Sequence, residues 1–386
     1  MTDASGLRRR VRRGSFASEQ AAIAARDAAV TEPSPRVLAQ AWTVQKWLRD
    51  WLEQVQVRPS TLRGYVTIVR CHLIPALGSA RLSELGTAQV QQAMDAIARK
   101  PARRGGMLAA STVAGVLAVL RSALGLARAR GYVRFNAAVG VLKPRCTRVT
   151  GVVWTPERIA VWRQTGQRPP GAVWDPEGAA RFLDAVADDP LLPLWQLATF
   201  CGLRRGEITG LRGEDFDFDN GYVRVTKQLH VNGAQWWLGP PKSAAGMRVV
   251  PLDDVTNDAC RRYWLAVAAD PRRQTLNPDG AMFLKPDGSP ATPDYLTRRL
   301  VELVKVHDLP PIRFHDLRHQ AASLMGAAGA DLHVIRKVLG HSSVVTTADT
   351  YWQVFRETAA AAINAAVDLV RWHARRRRTL GPAILA

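Results

Sequence analysis

The chain has 386 residues, of which 47% are hydrophobic and 22% charged, and it carries a formal net charge of +20. This composition excludes a disordered chain, and the length is enough for two or three folded domains. The basic excess predicts a polyanionic partner, most commonly nucleic acid, although general solubility is the alternative interpretation of a basic surface.

The first 35 residues resemble a basic arm, which we expect to be partly disordered. Five arginines fall within six positions: Arg8, Arg9, Arg10, Arg12 and Arg13. A run of this kind is usually a solvated tail, but in a DNA-binding protein it lies on phosphates. Pro33 and Pro35 then separate the arm from the next segment of the chain.

Residues 36–143 show apolar residues at three- and four-residue spacing, which predicts four amphipathic helices with short connections, a small bundle. Ser60, Thr87 and Ser111 or Thr112 are the expected N-caps, and Gly131 is expected to end the fourth helix. The loop before that helix is basic and either contacts a DNA backbone or is simply solvated. Its basic residues are Arg99, Lys100, Arg103 and Arg104.

We predict a linker at residues 144–152 and a second domain over residues 153–372. Thr155-Pro156 and Asp175-Pro176 each place a capping residue before a proline, which indicates two helix starts. The apolar stretch 191–201 predicts a buried helix.

The apolar period changes to two between residues 221 and 252, which predicts strands at 222–226, 235–238 and 247–250. The last two are expected to form a hairpin with Lys242 in its turn. After residue 290 helices resume, the last at about 358–372. A basic tail, residues 373–386, follows. The predicted fold is therefore mainly α with a small antiparallel β-sheet.

Two pairs of residues have the spacing of one helix face. Arg204 and Glu207 are three apart, so the arginine can clamp a phosphate while the glutamate orients it; a surface ion pair is the alternative. His315 and Arg318 also share a face. His315 and His319 have the spacing of a zinc-binding pair, but Arg318 would bring a positive charge to the metal and no third ligand is evident.

Lys242, His341 and Tyr351 carry little signal alone. The lysine can protonate a leaving 5′ alkoxide or be solvated, and His341 can donate to a phosphate oxygen or be structural. A phenol with a pKa near 10 is a poor nucleophile unless cations surround it. The ordered set Arg204, Lys242, His315, Arg318, His341, Tyr351 therefore predicts a metal-independent enzyme that attacks a phosphodiester with tyrosine.

This order and spacing resemble the tyrosine recombinase (phage integrase) family, over roughly residues 36–375. The resemblance lies in Gly202-Leu203-Arg204-Arg205-Gly206-Glu207, Lys242 with Arg248-Val249-Val250-Pro251, His315-Asp316-Leu317-Arg318, Leu339-Gly340-His341 and Asp349-Thr350-Tyr351. It implies a SAM-like core-binding bundle followed by a mixed α+β catalytic domain, with all six catalytic positions filled.

The resemblance also implies the chemistry. Tyr351 would attack DNA to give a 3′-phosphotyrosyl intermediate, with Arg204, Arg318 and His341 on the phosphate. Lys242 would protonate the leaving oxygen, and His315 would assist the tyrosine proton. A 5′ hydroxyl of a partner strand would then religate, with no cofactor and no ATP.

The implied partners are double-stranded DNA at attachment sites, three further copies in a tetramer held through the C-terminal helix, and a directionality or host accessory factor. Integration or excision of a phage or other mobile element is the leading function. The alternatives are a cellular recombinase that resolves chromosome dimers, a non-cleaving DNA-binding regulator and a type IB topoisomerase.

The chain departs from the pattern of this family at its start, where an arm-binding domain is common. Only residues 1–35 precede the bundle, and they show no strand pattern. We therefore expect either no arm-binding domain or a start site that is assigned too late.

The scattered cysteines, Cys71, Cys146, Cys201 and Cys260, show neither metal-ligand spacing nor a disulfide framework, which indicates a reducing cytoplasm. The sequence has no continuous run of about 18 apolar residues, so it predicts no membrane span.

Overall fold

The structure, a computed structural model, describes residues 18–23, 41–102, 105–145, 151–169, 171–233, 235–340, 367 and 371. The chain divides into two compact units, Met1–Thr147 and Arg148–Ala386. The division falls within residues 144–152, the predicted linker. Each unit has its own apolar core.

The first unit is a bundle of helices. Its helices are α1 (Val44–Gln54), α2 (Pro59–Ile68), α3 (Ile74–Leu77), α4 (Thr87–Ala98) and α5 (Ala110–Ala129). A π turn over Val69–Leu73 joins α2 directly to α3. The core is apolar and includes Trp47 and Trp51 of α1, packed with residues of α4 and α5. The helical bundle predicted from the apolar period is thus confirmed.

The beginnings of these helices differ from the predicted caps. Ser60, Thr87 and Ser111–Thr112 all lie inside their helices, and no side chain caps α2, α4 or α5. In α2 the first residue is Pro59, whose fixed φ begins a helix without a side-chain cap. The predicted end of α5 is correct, because Gly131 follows the helix with a φ of +78°.

Helix α5 is long and apolar enough to cross a membrane on length and composition alone, with a mean hydropathy of 1.6. The sequence shows no continuous apolar run here, because serine, threonine, glycine and arginine interrupt the apolar residues. Val116, Leu117 and Leu120 of this helix are buried in the bundle core. Its apolar composition is therefore accounted for by packing inside the first unit.

The second unit begins with two similar strand–helix pieces. The strands β1 (Val152–Val153) and β2 (Ala172–Val173) pair in parallel, and helices α6 (Pro156–Thr165) and α7 (Pro176–Ala185) follow them. Thr155 and Asp175 cap these helices by accepting bonds from backbone N–H groups. The two predicted helix starts are confirmed, whereas the strands are too short to give a period in the sequence.

The β-structure corrects one prediction. Its remaining strands are β3 (Phe216–Asp217), β4 (Tyr222–Val225), β5 (Gln228–Asn232), β6 (Gln235–Gly239) and β7 (Arg248–Pro251). Strands β3, β4 and β7 form an antiparallel sheet in that order, and β5 and β6 form a separate hairpin. The predicted hairpin between 235–238 and 247–250 is therefore wrong.

The reason lies in the turn. Gly233, with a φ of +66°, lies in the turn between β5 and β6, and Pro240 and Pro241 follow that hairpin. The sequence pattern predicts no strand at β5, and the prediction therefore pairs β6 with the next strand in the sequence. Lys242 consequently lies on the connection from β6 to β7, outside any hairpin turn.

The rest of the second unit, as far as the structure describes it, is mainly helical. Its helices are α8 (Leu192–Gln196), α9 (Arg205–Gly210), α10 (Asp254–Ala268), α11 (Pro271–Leu276), α12 (Pro293–Val306), α13 (Phe314–Ala327) and α14 (Leu332–Leu339). The predicted buried helix at 191–201 is confirmed as α8 with a following π turn, Leu197–Cys201. The predicted last helix, 358–372, lies outside the described residues apart from positions 367 and 371.

Candidate active site

Gly202 positions Arg204 at the start of α9. It adopts a φ of +60°, and a Cβ there would lie 2.5 Å from Leu339 Cδ2 and 2.9 Å from Ala321 Cβ. Only glycine fits a positive φ this close to neighbouring side chains. The chain therefore turns tightly at Gly202, and Arg204 becomes the residue that precedes α9.

Arg204 and Glu207 form a closed pair at this helix start. Arg204 Nη1 donates to Glu207 Oε1 at 2.6 Å, and the Arg204 backbone N–H donates to Oε2 at 3.0 Å. The glutamate side chain is 0% exposed and the arginine 30%. The shared face is confirmed, and the alternative of a solvated surface pair does not hold because the carboxylate is buried.

Arg248 is a second partner of the same carboxylate. Its Nη2 donates to Glu207 Oε2 at 2.9 Å, and its side chain is 6% exposed. Burial alone would raise the pKa of Glu207, but the charges and hydrogen bonds of Arg248 and Arg204 lower it below its usual value. Glu207 is therefore an anion at neutral pH.

The prediction from sequence did not assign Arg248 to the site. The indication for Arg248 lies in strand β7. Arg248 and Val250 are two residues apart, Val250 is buried, and Val249 between them is exposed. Alternation places Arg248 on the inward face. An inward arginine requires an acidic or carbonyl partner, because burying an unpaired charge is expensive.

Arg318 lies on α13 and is 2% exposed. Its Nη1 donates to the carbonyl of Gly202 at 2.9 Å, and its Nη2 donates to the carbonyl of Leu339. Burial and then the charge of Arg204 lower the pKa of Arg318 to about 9. Arg318 remains a cation at neutral pH, and it lies near enough to Arg204 for the two charges to interact.

His315 stands one turn before Arg318 on the same helix. His315 is an exposed residue, but partial burial and then the charges of His319 and Arg318 lower its pKa to about 4. The ring is therefore neutral at pH 7 and able to accept a proton. It contacts His319 edge to face, with 5.0 Å between ring centroids.

Zinc ligation by this pair finds no support among the described residues. No group of three or more His, Cys, Asp or Glu side chains there is arranged to hold a metal ion.

Three arginines converge on the last turn of α14. The carbonyls of Val338, Leu339 and Gly340 accept hydrogen bonds from Arg248, Arg318 and Arg204 respectively, the first at 2.6 Å and the third at 3.2 Å. The C-terminal end of a helix carries partial negative charge, which favours cations there. The cluster thus fixes the end of α14, and His341 is the next residue in the chain.

The connection bearing Lys242 also reaches this place. Lys242 itself is exposed. Gly340 has a φ of +67°, and a Cβ on it would lie 2.6 Å from the Ala245 carbonyl and 3.0 Å from Arg248 Nη1. The backbone three residues after Lys242 therefore packs against the end of α14.

The structure brings together Arg204, Glu207, Arg318 and His315, with the Lys242 connection beside them. The other predicted site residues lie outside the described part of the chain. They are His341, Tyr351, Arg8, Arg9, Arg10, Arg12, Arg13, Arg103 and Arg104.

Two family models match the chain. The model described as the phage integrase family matches residues 179–358, and the one described as the phage integrase N-terminal SAM-like domain matches residues 43–97. Together they include more than half of the chain. The range matched by the phage integrase family model, 179–358, includes all six predicted catalytic positions, and two of them lie beyond Gly340.

Known proteins give consistent matches. ICEBs1 integrase of Bacillus subtilis is 28% identical over 219 residues, 54% of this chain and 55% of that protein. An integrase of Saccharopolyspora erythraea is 24% identical over 371 residues, 80% of this chain and 78% of that protein. Tyrosine recombinase XerC of Corynebacterium glutamicum is 30% identical over 165 residues, 43% of this chain and 47% of that protein. The chain thus spans about half the length of ICEBs1 integrase.

Among solved structures, the Tn1549 transposon integrase in complex with a circular intermediate DNA matches with a TM-score of 0.63 at 20% identity. The match covers 83% of this chain and 100% of that chain. Similarity at this identity establishes the fold: a SAM-like bundle followed by a mainly helical domain with small sheets.

Proposed function

Because the chain belongs to the tyrosine recombinase (phage integrase) family, we propose that it is a site-specific DNA recombinase that cleaves and rejoins strands through a 3′-phosphotyrosyl intermediate. The observation that carries this proposal is the convergence of Arg204, Arg318 and Arg248 around the buried Glu207, at the end of α14. Three guanidinium groups against one carboxylate give this cluster a net positive charge. The chain segment that contains His341 and Tyr351 begins directly after Gly340, at this end of α14.

The arginines suit a phosphoryl centre on which negative charge builds. An arginine side chain has five N–H donors. The bonds from Arg204 to Glu207 and Gly340 engage one N–H on each terminal nitrogen. Among the described residues no acceptor is seen for the other N–H groups, and we propose that they donate to a phosphate oxygen. Removing one preorganised donor of this kind costs about 3–4 kcal/mol of transition-state stabilisation.

The proposed cleavage step moves one proton away from Tyr351 and one proton onto the leaving 5′ oxygen. Tyr351 Oη attacks the scissile phosphorus and forms the 3′-phosphotyrosyl bond, while the bond to the 5′ oxygen breaks. His315, neutral at pH 7, accepts the phenol proton, and Lys242 donates a proton to the departing 5′ oxygen. His341 donates a hydrogen bond to the phosphate. Attack by a 5′ hydroxyl of another strand reverses these transfers.

The biological role we propose is integration or excision of a mobile element. The alignment with the S. erythraea integrase extends over 80% of the chain, whereas the alignments with XerC proteins cover between 43% and 61%. The wider alignment favours an integrase over a chromosome-dimer resolvase. We further propose action as a tetramer on two attachment sites in the cytoplasm, on the nucleoid, with the C-terminal helix linking protomers and an accessory factor setting direction.

A nicked suicide substrate tests the proposal. The nick lies close to the cleavage position, so the short 5′-terminal product diffuses away and the covalent intermediate accumulates. Wild-type protein should give a protein–DNA band that survives denaturation, and Tyr351→Phe should give none. DNA binding without any covalent band from the wild type would instead identify a non-cleaving regulator. Relaxation of supercoils by a monomer would identify a topoisomerase.

A further inference from the structure

We infer that Arg248 is a positioning residue of this site, which fixes the connection carrying Lys242 against the end of α14. This inference rests on the proposed recombinase function. It assigns to Arg248 no contact with DNA, since its side chain is 6% exposed and its Nε is bonded to the Val338 carbonyl of α14. Its effect on the reaction passes through Lys242.

The three donor nitrogens of Arg248 bind three separate segments. Nε donates to the Val338 carbonyl of α14 at 2.6 Å, Nη1 to the Gly246 carbonyl at 3.0 Å, and Nη2 to Glu207 at 2.9 Å. A planar guanidinium holds such partners in fixed directions, which an ammonium group does not. Arg248 therefore sets the relative positions of α9, α14 and the connection before β7.

The Gly246 bond is the one that reaches Lys242. Gly246 ends the short turn Ala244–Gly246, which begins two residues after Lys242. A Cβ on Gly246 would lie 2.5 Å from Pro241 Cβ, so this turn packs on the residue just before the lysine. The backbone on both sides of Lys242 is thereby tied to the Arg248 guanidinium.

Arg204 depends less on Arg248. It keeps its own side-chain and backbone bonds to Glu207 and its bond to Gly340. Removing Arg248 should therefore displace Lys242 more than it displaces the phosphate-binding arginines. A misplacement of about 1 Å costs roughly 10²-fold in rate.

A substrate with sulfur in place of the 5′ bridging oxygen separates these effects. Tyr351 still forms the bond to phosphorus, but the bond that breaks releases a thiolate, which needs no proton from Lys242. We expect Arg248→Met to form covalent intermediate about 10²-fold more slowly than wild type on the oxygen substrate, and at nearly the wild-type rate on the sulfur substrate. Lys242→Ala should behave in the same way, whereas Arg204→Ala should stay slow on both.

Arg248→Lys keeps the charge and one of the three bonds, so it should show a smaller defect with the same relief by sulfur. Val249→Ala is the matched control, because Val249 is the exposed neighbour on the same strand. Wild-type cleavage of the oxygen substrate tests the recombinase proposal separately. With that cleavage established, an Arg248 variant that is equally slow on both substrates, or as fast as wild type on oxygen, overturns the inference.

Discussion

The two units of the chain bury different kinds of side chain. In the first unit the described core is apolar, with Trp47, Leu48 and Trp51 of α1 at its centre. Every buried polar or charged residue that the structure describes lies in the second unit, and these include Glu207, Asp316 and Arg318. Both units are helical, so secondary structure does not explain the difference.

The comparison separates what folding requires from what chemistry requires. An apolar bundle is stable through burial of surface alone. Buried ions oppose folding unless each is paired, and replacing such a pair by apolar residues is often neutral or stabilising. The buried Glu207 and Arg318 therefore point to a function, because the arginines gathered there donate to the last carbonyls of α14. The buried Asp316 lies apart from them and pairs with Arg313 at the start of α13.

The largest effect is expected from removing Arg318. In Arg318→Ala the rate of covalent intermediate formation should fall by about 10²–10³-fold, because the variant loses a donor that we propose to be preorganised for the phosphate. Binding to duplex DNA should change little, since the bundle is untouched. Single-turnover cleavage and equilibrium binding measure the two quantities. Weakened binding with unchanged cleavage would contradict the role given to Arg318.

In the first unit we expect a substitution to lower stability rather than the rate of cleavage. Trp51→Ala removes a buried ring that stacks on Tyr65, and it should destabilise the bundle by about 3–5 kcal/mol. Hydrogen exchange in the full chain should show faster exchange in α1 and α5, with α9 and α13 unchanged. Faster exchange throughout the chain would mean that the two units do not unfold separately.

A smaller effect is expected at the cap of α7. Asp175→Ala removes the side-chain acceptor for the Gly178 N–H, at 2.7 Å, and should lower the free energy of unfolding by about 1 kcal/mol. Asp175→Asn keeps an acceptor and serves as the control. Urea unfolding followed by circular dichroism measures both variants. Equal loss in the two would show that the charge, not the cap, stabilises this helix.

The smallest effect is expected from His315, because it is an exposed residue and solvent screens the interactions that lower its pKa. Its folded-state pKa of about 4 lies below the unfolded value of about 6.5, so the unfolded chain binds more protons between these values. Its stabilising contribution is complete above pH 6.5 and is lost as pH falls towards 4. His315→Gln should therefore lose less stability than wild type between pH 7.5 and 4.5 in urea unfolding. Parallel pH profiles would contradict the lowered pKa.

Much of this architecture could be predicted from local patterns. The period of the bundle and the Thr155-Pro156 and Asp175-Pro176 helix starts are local, and the structure confirms them. Strand β5 and the pairing of β7 with β4 depend on contacts between distant segments, which no local period encodes.

In the site, Arg204 and Glu207 were predictable because they are three residues apart on one helix start. Arg248 lies 41 residues from Glu207 in sequence, and only its inward place on β7 indicated a buried partner. The three carbonyls at the end of α14 carry no sequence signal at all, because any residue supplies a backbone carbonyl.

The most direct test of the central claim is whether the arginines and Tyr351 act on one phosphorus. A suicide substrate with a methylphosphonate at the cleavage position lacks the negative charge that Arg204 and Arg318 are proposed to neutralise. Cleavage by Arg204→Ala and Arg318→Ala, measured as covalent intermediate, should be restored relative to the phosphate substrate, while Tyr351→Phe should stay inactive. Equal defects of the arginine variants on both substrates would contradict the account.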